Sequence, residues 1–276
     1  MRVQEALATG TRLLTEAGIE GAARDARRLM AAFLEVEPGR VTLHLQDEFD
    51  PLREENFIAA ILERKARRPM SHLLGYRDFY GRRFEVSSDV LDPRGDTETL
   101  IEAALAAPFC RVLDLGTGSG CILLTLLAER AGATGLGTDI APAALRVAER
   151  NAEALMLRDR ARLIEANWFD GVTGDFDLIV SNPPYIAAGE MAGLAPELSY
   201  EPRGALTDEG DGLSAYRAIT AEARDYLRPG GRLILEIGAS QGEVVRAMVR
   251  AAGFAEVAIR QDIDGHDRVV EGRNPG

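Results

Sequence analysis

From residue 111 to residue 260 the chain alternates short runs of buried-strand character with runs of helical character, and no other feature restricts its possible folds as strongly. Strands are expected at 111–115, 134–140, 162–165, 176–181, 232–237 and 255–260. Strands separated by helix-length segments do not pair as hairpins, so they predict a parallel, doubly wound sheet with crossover helices on its faces. A seventh candidate, 268–271, follows the sixth too closely for a helical crossover and is expected to pair antiparallel. The fold class is therefore α/β, with a seven-stranded, mostly parallel sheet.

The first 75 residues read differently. Leu7, Leu13, Leu14, Leu29, Met30, Phe33, Leu34, Phe57, Ile58, Ile61 and Leu62 recur at three- and four-residue spacings, which predicts a small helical bundle over 1–75. Breaks fall at 18–21, at Pro38-Gly39 and at Asp50-Pro51, where proline suits the first helical position, and Pro69 is expected to end the last helix. Phe79, Tyr80, Phe84, Val86 and Val90 alternate around a Gly81 turn, so 76–92 is expected to be a β-hairpin linking the bundle to a larger domain over 93–276.

Composition narrows the partners. The net charge is −12, and residues 1–80 hold 12 basic and 13 acidic side chains against 20 and 31 in the remainder, so the acidity lies in the α/β part. Such a field repels a phosphate backbone, and direct nucleic-acid binding is not expected. The longest apolar run, 121–128, is far below the roughly 20 residues of a membrane span, so no membrane association is expected. The first residues carry an acid, Glu5, where a secretory signal would be basic and then apolar, and a cytoplasmic location is expected. Two cysteines, Cys110 and Cys121, flank one strand and make no disulfide framework, while His44, His72 and His266 have no ligand spacing; no metal is expected.

Two motifs carry chemistry. Asp114-Leu115-Gly116-Thr117-Gly118-Ser119-Gly120 lies between a buried strand and an apolar helix, where a glycine turn lets a ligand approach backbone N–H groups. Its glycines fall at 116, 118 and 120 and Cys121 stands where a dinucleotide fingerprint has its third glycine, which leans away from a nicotinamide cofactor. Asp139, ending the next strand, is placed to accept from two ribose hydroxyls, a role shared by nicotinamide and adenosyl cofactors. The second motif, Asn182-Pro183-Pro184-Tyr185, follows the 176–181 strand. Its prolines lock the backbone and remove two donors, so the Asn182 side-chain oxygen and the Pro183 carbonyl are free to accept from a guest NH2, with Tyr185 covering a planar group. That set suits an amide or an aromatic amine.

The order of glycine loop, strand-end acid and NPPY resembles a class I S-adenosylmethionine-dependent methyltransferase of the amino-methylating group. NPPY by itself is shared with adenine-N6 DNA and guanine RNA methyltransferases. The flanking segments PMSHLLGYRDFYGRRFEV, DPRGDTE, NWF, YEPRGAL, LRPGGRLILEIG with Gln241, and DIDGHDRVVEGR resemble the HemK/PrmC family, protein-(glutamine-N5) methyltransferases that modify the GGQ glutamine of peptide-chain release factors. This similarity runs along nearly the whole chain.

The resemblance implies S-adenosylmethionine as methyl donor, with S-adenosylhomocysteine as product, and a release factor as protein partner recognised by the N-terminal bundle. It implies that Asp114, Gly116, Thr117, Gly118, Ser119 and Gly120 hold the methionine end of the cofactor and Asp139 its ribose, with Asn167 or Trp168 bordering the adenine and Asn182 near the methyl group. Asn182, Pro183, Pro184 and Tyr185 would hold the substrate glutamine, the segment 93–98 would wall the site, and 187–210 would shape its entrance. Three positions depart from the family pattern: Asp92 replaces an apolar residue, Gly95 a proline and Asn167 an acid. An amide nitrogen is nearly non-nucleophilic, so the site must orient it and let charge move onto it, which two acceptor oxygens do. The resemblance places Glu98 and Glu201 near the pocket, where they read as structural or cofactor-orienting acids and neither is assigned as base, and the run Arg64, Lys65, Arg67, Arg68 reads as a solvated helix end or a partner-facing patch.

Overall fold

The apolar spacing of the first seventy residues is realised as α1 (Val3–Glu16), α2 (Ala22–Leu34), α3 (Pro51–Lys65) and a short α4 (Met70–Leu74) in a computed structural model that describes residues 1–276. α3 starts where the sequence puts it: the Asp50 carboxylate accepts the N–H groups of Leu52 and Arg53 at 3.0 Å, and Pro51 occupies the first helical position. Pro69 does not end the last helix; it precedes α4, because a proline that cannot continue one helix can open the next. Phe57 is wholly buried among these helices, with the rings of Phe33 and Phe49 set edge-on at 6.1 and 6.0 Å.

The basic run at the end of α3 is not simply solvated. Arg64 is buried, donating to the buried Asp25 carboxylate at 2.9 Å and to Glu197 at 3.1 Å, and the Tyr200 hydroxyl donates to the Ala66 carbonyl at 2.8 Å. Arg67 donates to the carbonyls of Ala17 and Gly18 beyond the end of α1. These bonds explain why the first compact unit comprises Met1–Tyr76 together with Ala195–Tyr200.

The second unit comprises Arg77–Leu194 and Glu201–Gly276. The hairpin of β1 (Tyr76–Phe79) and β2 (Arg82–Glu85) packs into this unit and is no free linker: Phe79 and Phe84 are buried in one core with Leu100 and Ile101. Those two residues belong to α5 (Glu98–Leu105). Then come β3 (Arg111–Leu115), α6 (Cys121–Glu129), β4 (Thr134–Asp139), α7 (Pro142–Ala154), β5 (Ala161–Glu165) and β6 (Phe176–Ser181). The chain continues through α8 (Arg203–Leu206), α9 (Ser214–Glu222), β7 (Leu227–Glu236), α10 (Gly242–Ala251), β8 (Ala255–Gln261) and β9 (Asp267–Arg273).

The seven strands β3 to β9 form one sheet in the order β5-β4-β3-β6-β7-β9-β8, parallel except for β9, which runs antiparallel to both neighbours. Both faces are covered, and the two-residue strand period sorts side chains between them. Val112, Leu178, Val180 and Ile234 enter one core with α5 and α6, while Leu113, Ile179, Leu233 and Leu235 enter the other with α9 and α10. β7 begins five residues earlier than expected. Leu227 already pairs with Phe176, and the register shifts before Leu178 pairs with Arg232, so Arg228 to Gly231 form an irregularity inside the strand.

Candidate active site

Parallel strands bring their carboxyl ends to one edge of a sheet, and β4, β3 and β6 are neighbours at its centre. Leaving β3, the chain turns through Gly116, Gly118 and Gly120 at φ of 69°, 55° and 79°, the left-handed region that favours glycine. The glycines differ in their surroundings. A Cβ on Gly118 would meet nothing within 4 Å, whereas one on Gly120 would stand 3.0 Å from Leu124 Cδ1 and 3.2 Å from Ala148 Cβ. Gly118 thus leaves room beside the backbone for a guest, while Gly120 allows α6 and α7 to pack closely.

Asp139 closes β4, and its carboxylate is fixed from two directions. Oδ2 accepts the Gly118 N–H at 2.8 Å and Oδ1 the Ala141 N–H at 2.9 Å, while each oxygen retains capacity for a second donor. Burial raises its pKa against these backbone bonds. Two such oxygens match a pair of vicinal hydroxyls. Asp114 is different: it is fully buried, accepts the Thr117 hydroxyl at 2.7 Å and leaves Oδ1 without a partner, so it braces the turn from behind. Burial pushes its acidity to about 7, with the Thr117 hydroxyl pulling the other way.

A cavity of about 370 Å³ opens over this turn. Gly116, Thr117, Gly118, Ser119 and Asp139 line it, as do Asn167 and Trp168, the apolar side chains of Val90, Ile122, Ile140 and Ala144, and Asn182 with Pro184. Trp168 holds a φ of 52°, rare for a bulky residue. Cys121 is also on the wall, but burial pushes its thiol up to about 12, so it is no thiolate nucleophile. Pro202, Gly204 and Ala205, from the segment expected to shape the entrance, reach the cavity as well.

Asn182 stands just past β6 and its Nδ2 donates to Thr97 Oγ1 at 3.4 Å, which leaves the side-chain oxygen for a guest. The cavity wall includes Asn182 and Pro184 but not Asp114, Gly120, Pro183 or Tyr185. Pro183 is buried, and the Tyr185 ring packs against the core that holds Tyr216 and Ile237, where burial and then Glu236 push its hydroxyl up to about 12. The Tyr185 carbonyl accepts Gln241 Nε2 at 2.9 Å. Tyr185 therefore anchors the NPPY turn from outside the cavity; the ring does not lie over it.

The segment before α5 is held at both ends. Arg94 pairs with the buried Glu201, whose other oxygen accepts the Asp92 N–H at 3.4 Å, and Asp92, buried despite its charge, has Arg77 at 3.8 Å. Asp96 meets Arg268 at 3.1 Å. Two residues on this side lie in the segments DPRGDTE and LRPGGRLILEIG, where the sequence assigns them no individual role. Thr97, nearly wholly buried, lies on the cavity wall, and Glu236, the last residue of β7, is buried as well. Burial pushes Glu236 up to about 7, with Thr97 and then Arg268 pulling down.

Comparison with known proteins gives a consistent result. Residues 5–75 match the PrmC N-terminal domain family, and residues 86–213 match the methyltransferase small domain family. The chain is 55% identical over 276 residues to the release factor glutamine methyltransferase of Cereibacter sphaeroides, covering 100% of this chain and 99% of the relative. It is 44% identical over 275 residues to the protein of the same name from Caulobacter vibrioides, covering 95% and 93%. Among solved structures, a methyltransferase from Pyrococcus furiosus superposes with a TM-score of 0.55 at 19% identity, covering 80% of this chain and 98% of that one, which shows a shared fold.

Proposed function

Because the chain belongs to the family of release factor glutamine methyltransferases, we infer that it transfers a methyl group from S-adenosylmethionine to the side-chain amide nitrogen of a release factor glutamine. We propose that the target is the glutamine of the GGQ loop, that the helical unit recognises the release factor, and that the enzyme acts in the cytoplasm. No helix is long and apolar enough to cross a membrane.

The observation that carries the site assignment is that Asp139 and Asn182 line one cavity whose wall between them is a glycine turn. The residues fit an adenosyl ligand: Gly118 leaves open space, Asp139 offers two fixed acceptors for the ribose hydroxyls, and Ile140, Ala144 and Trp168 give apolar surface for a purine, with Asn167 offering an acceptor to its amino group. When bound, S-adenosylmethionine supplies an electrophilic methyl on a sulfonium centre.

The chain's own task is to make an amide nitrogen react. The Asn182 Oδ1, together with the Pro183 main-chain carbonyl, accepts the two N–H bonds of the glutamine amide and so orients its nitrogen. As those bonds polarise, electron density moves to the nitrogen and the developing positive charge is stabilised by fixed acceptors that need no reorganisation. No strong base is needed before transfer, and one of the two amide protons leaves as or after the nitrogen takes the methyl group, so that the product is the neutral N-methyl amide. Arg94 and Glu201 hold each other, which supports a structural part for Glu201, and Glu98 accepts the Tyr80 N–H at 3.4 Å.

The direct test is Asn182→Ala with release factor as acceptor. Loss of one preorganised polar group is expected to lower kcat by about 100-fold or more while S-adenosylhomocysteine affinity stays near the parent value. Full activity in this variant contradicts the assignment.

A further inference from the structure

We propose that Gln241 is a positioning residue for methyl transfer: its carboxamide clamps the chain where it leaves the Asn182-Pro183-Pro184 turn and so fixes the direction of the Pro183 carbonyl. The inference rests on the reading that Asn182 Oδ1 and the Pro183 carbonyl accept the two N–H bonds of the substrate amide.

Two successive prolines stiffen a turn and also deprive it of holds. Each fixes its φ near about −65°, and neither has an N–H with which to tie the segment to its surroundings. The turn is therefore secured at its ends. At the entrance Ser181 pairs with Leu115 and Leu235 in the sheet, and its hydroxyl donates to the Leu115 carbonyl at 2.7 Å. In the middle Pro183 is buried, and its carbonyl accepts from no main-chain N–H. At the exit the Tyr185 carbonyl is the anchor, and its donor is Gln241 Nε2 at 2.9 Å.

The carboxamide of Gln241 has one possible direction. Oε1 accepts the Gly238 N–H at 3.0 Å, a group that only donates, while Nε2 donates to the carbonyls of Tyr185 and Gly212 at 2.9 and 3.3 Å, groups that only accept. A flipped amide would set donor against donor on one side and acceptor against acceptor on the other. The Gln241 N–H in turn donates to the Gly238 carbonyl at 2.9 Å, so the residue is latched to the chain just past β7 by two bonds. A Cβ on Gly238 would stand 3.0 Å from Oε1, and the lack of a side chain there gives the carboxamide its place.

Gly212 brings a second segment to the same point. It holds a φ of 74°, and a Cβ on it would overlap the Tyr185 carbonyl, so glycine is what lets its backbone lie against the exit of the turn. The loop that carries it is braced, because the Asp208 carboxylate accepts the N–H groups of Gly210, Gly212 and Ser214 at 2.8, 3.0 and 2.9 Å. Without Gln241 the proline φ angles stay fixed, but the ψ angles of Pro183 and Pro184 lose their restraint at the exit, and ψ of Pro183 aims its carbonyl. A misplacement of about 1 Å in such a contact costs on the order of 100-fold in rate. Gln241 is not on the cavity wall, so its loss falls on the substrate amide and not on the cofactor.

The test measures kcat and KM for methyl transfer to release factor, and S-adenosylhomocysteine binding by calorimetry, on the full chain with Gln241→Leu, Gln241→Glu, Asn182→Ala and the Gln241→Leu, Asn182→Ala double variant. Leucine removes all the hydrogen bonds at similar size; ionised glutamate keeps the shape but turns an acceptor towards two carbonyls. Both are expected to lower kcat about tenfold or more, with KM for release factor and S-adenosylhomocysteine affinity within about twofold of the parent, because the clamp orients the amide and holds neither partner. In the Asn182→Ala background, where the paired acceptor is already gone, Gln241→Leu is expected to cost clearly less than in the parent, since both residues act on one amide. A residue that only supports the fold gives the same factor in both backgrounds. That equal factor, a loss of S-adenosylhomocysteine affinity as large as the loss in kcat, or full kcat in Gln241→Glu overturns the proposal, and Gln241→Glu decides it should Gln241→Leu fail to fold. Should Asn182→Ala be fully active, the underlying site reading fails; should it be impaired while both Gln241 variants are fully active, the Gln241 clamp alone fails.

Discussion

The Gly118 main-chain N–H lies 2.8 Å from Asp139 Oδ2, so the glycine turn after β3 and the acid that ends β4 are tied together independently of any ligand. With Ala141 holding the other oxygen at 2.9 Å, the carboxylate is aimed in advance. Asp139→Asn breaks this arrangement, because an amide nitrogen must then face one of the two N–H donors. Calorimetric titration with S-adenosylhomocysteine is expected to show binding weakened by about 10- to 100-fold, the worth of a lost charge-assisted hydrogen bond. Unchanged affinity removes Asp139 from the ribose site.

The glycines of the turn are expected to separate binding from folding. Alanine at either Gly118 or Gly120 pays about 1 kcal/mol for the left-handed conformation. At Gly120 the added methyl also meets Leu124 and Ala148, and overpacking costs roughly a further 1–3 kcal/mol. Gly120→Ala should therefore lose the more thermal stability, and Gly118→Ala the more cofactor affinity. The reverse order contradicts the division of roles.

The buried acid at the end of β7 makes stability depend on pH with a defined sign. Glu236 has its acidity pushed from the ordinary value near 4.5 to about 7, so between those values the folded chain keeps a proton that the unfolded chain has lost. The stability this proton provides is present in full below about pH 4.5 and is lost as pH rises through about 7. Glu236→Gln mimics the protonated form and is expected to be more stable than the parent at pH 8, by at most a few kcal/mol, with the advantage gone near pH 4. Denaturant titrations at both pH values test it; a constant difference counts against a shifted Glu236.

In the helical unit the pair to break is Asp25 with Arg64. Asp25→Ala leaves a buried guanidinium with only Glu197 and a carbonyl as partners, and is expected to cost roughly 3 kcal/mol, read as a lower denaturant midpoint. The exposed Arg12 and Glu16 pair should give no measurable change when Arg12 is replaced by Ala. Equal effects would mean that Arg64 is not buried in solution.

Much of this architecture is legible in the residues. β3 and β6 fall at their expected bounds because each is a mainly apolar run stopped by a chain turn, the glycine turn from Gly116 after β3 and the Asn-Pro-Pro turn after β6. β7 is longer than the expected 232–237: the pairing of Leu227 with Phe176 shows that the strand continues through Pro229, Gly230 and Gly231, residues that carry little strand preference of their own. The alternation of 79–91 announces a hairpin, but not that Phe79 and Phe84 bury themselves with α5. Tyr185 belongs to a motif and its ring nevertheless turns to the core, whereas Thr97, to which the sequence assigns no role of its own, lies 3.4 Å from the Asn182 amide. Contacts of that kind depend on sheet register, which local spacing does not encode.

The most direct measurement offers the enzyme labelled S-adenosylmethionine with, separately, purified release factor, duplex DNA and ribosomal RNA, and locates the methyl group by mass spectrometry. The expected result is one methyl on the side-chain amide of the GGQ glutamine and none on nucleic acid. Label on DNA or RNA, or on any other residue of the release factor, would contradict the account.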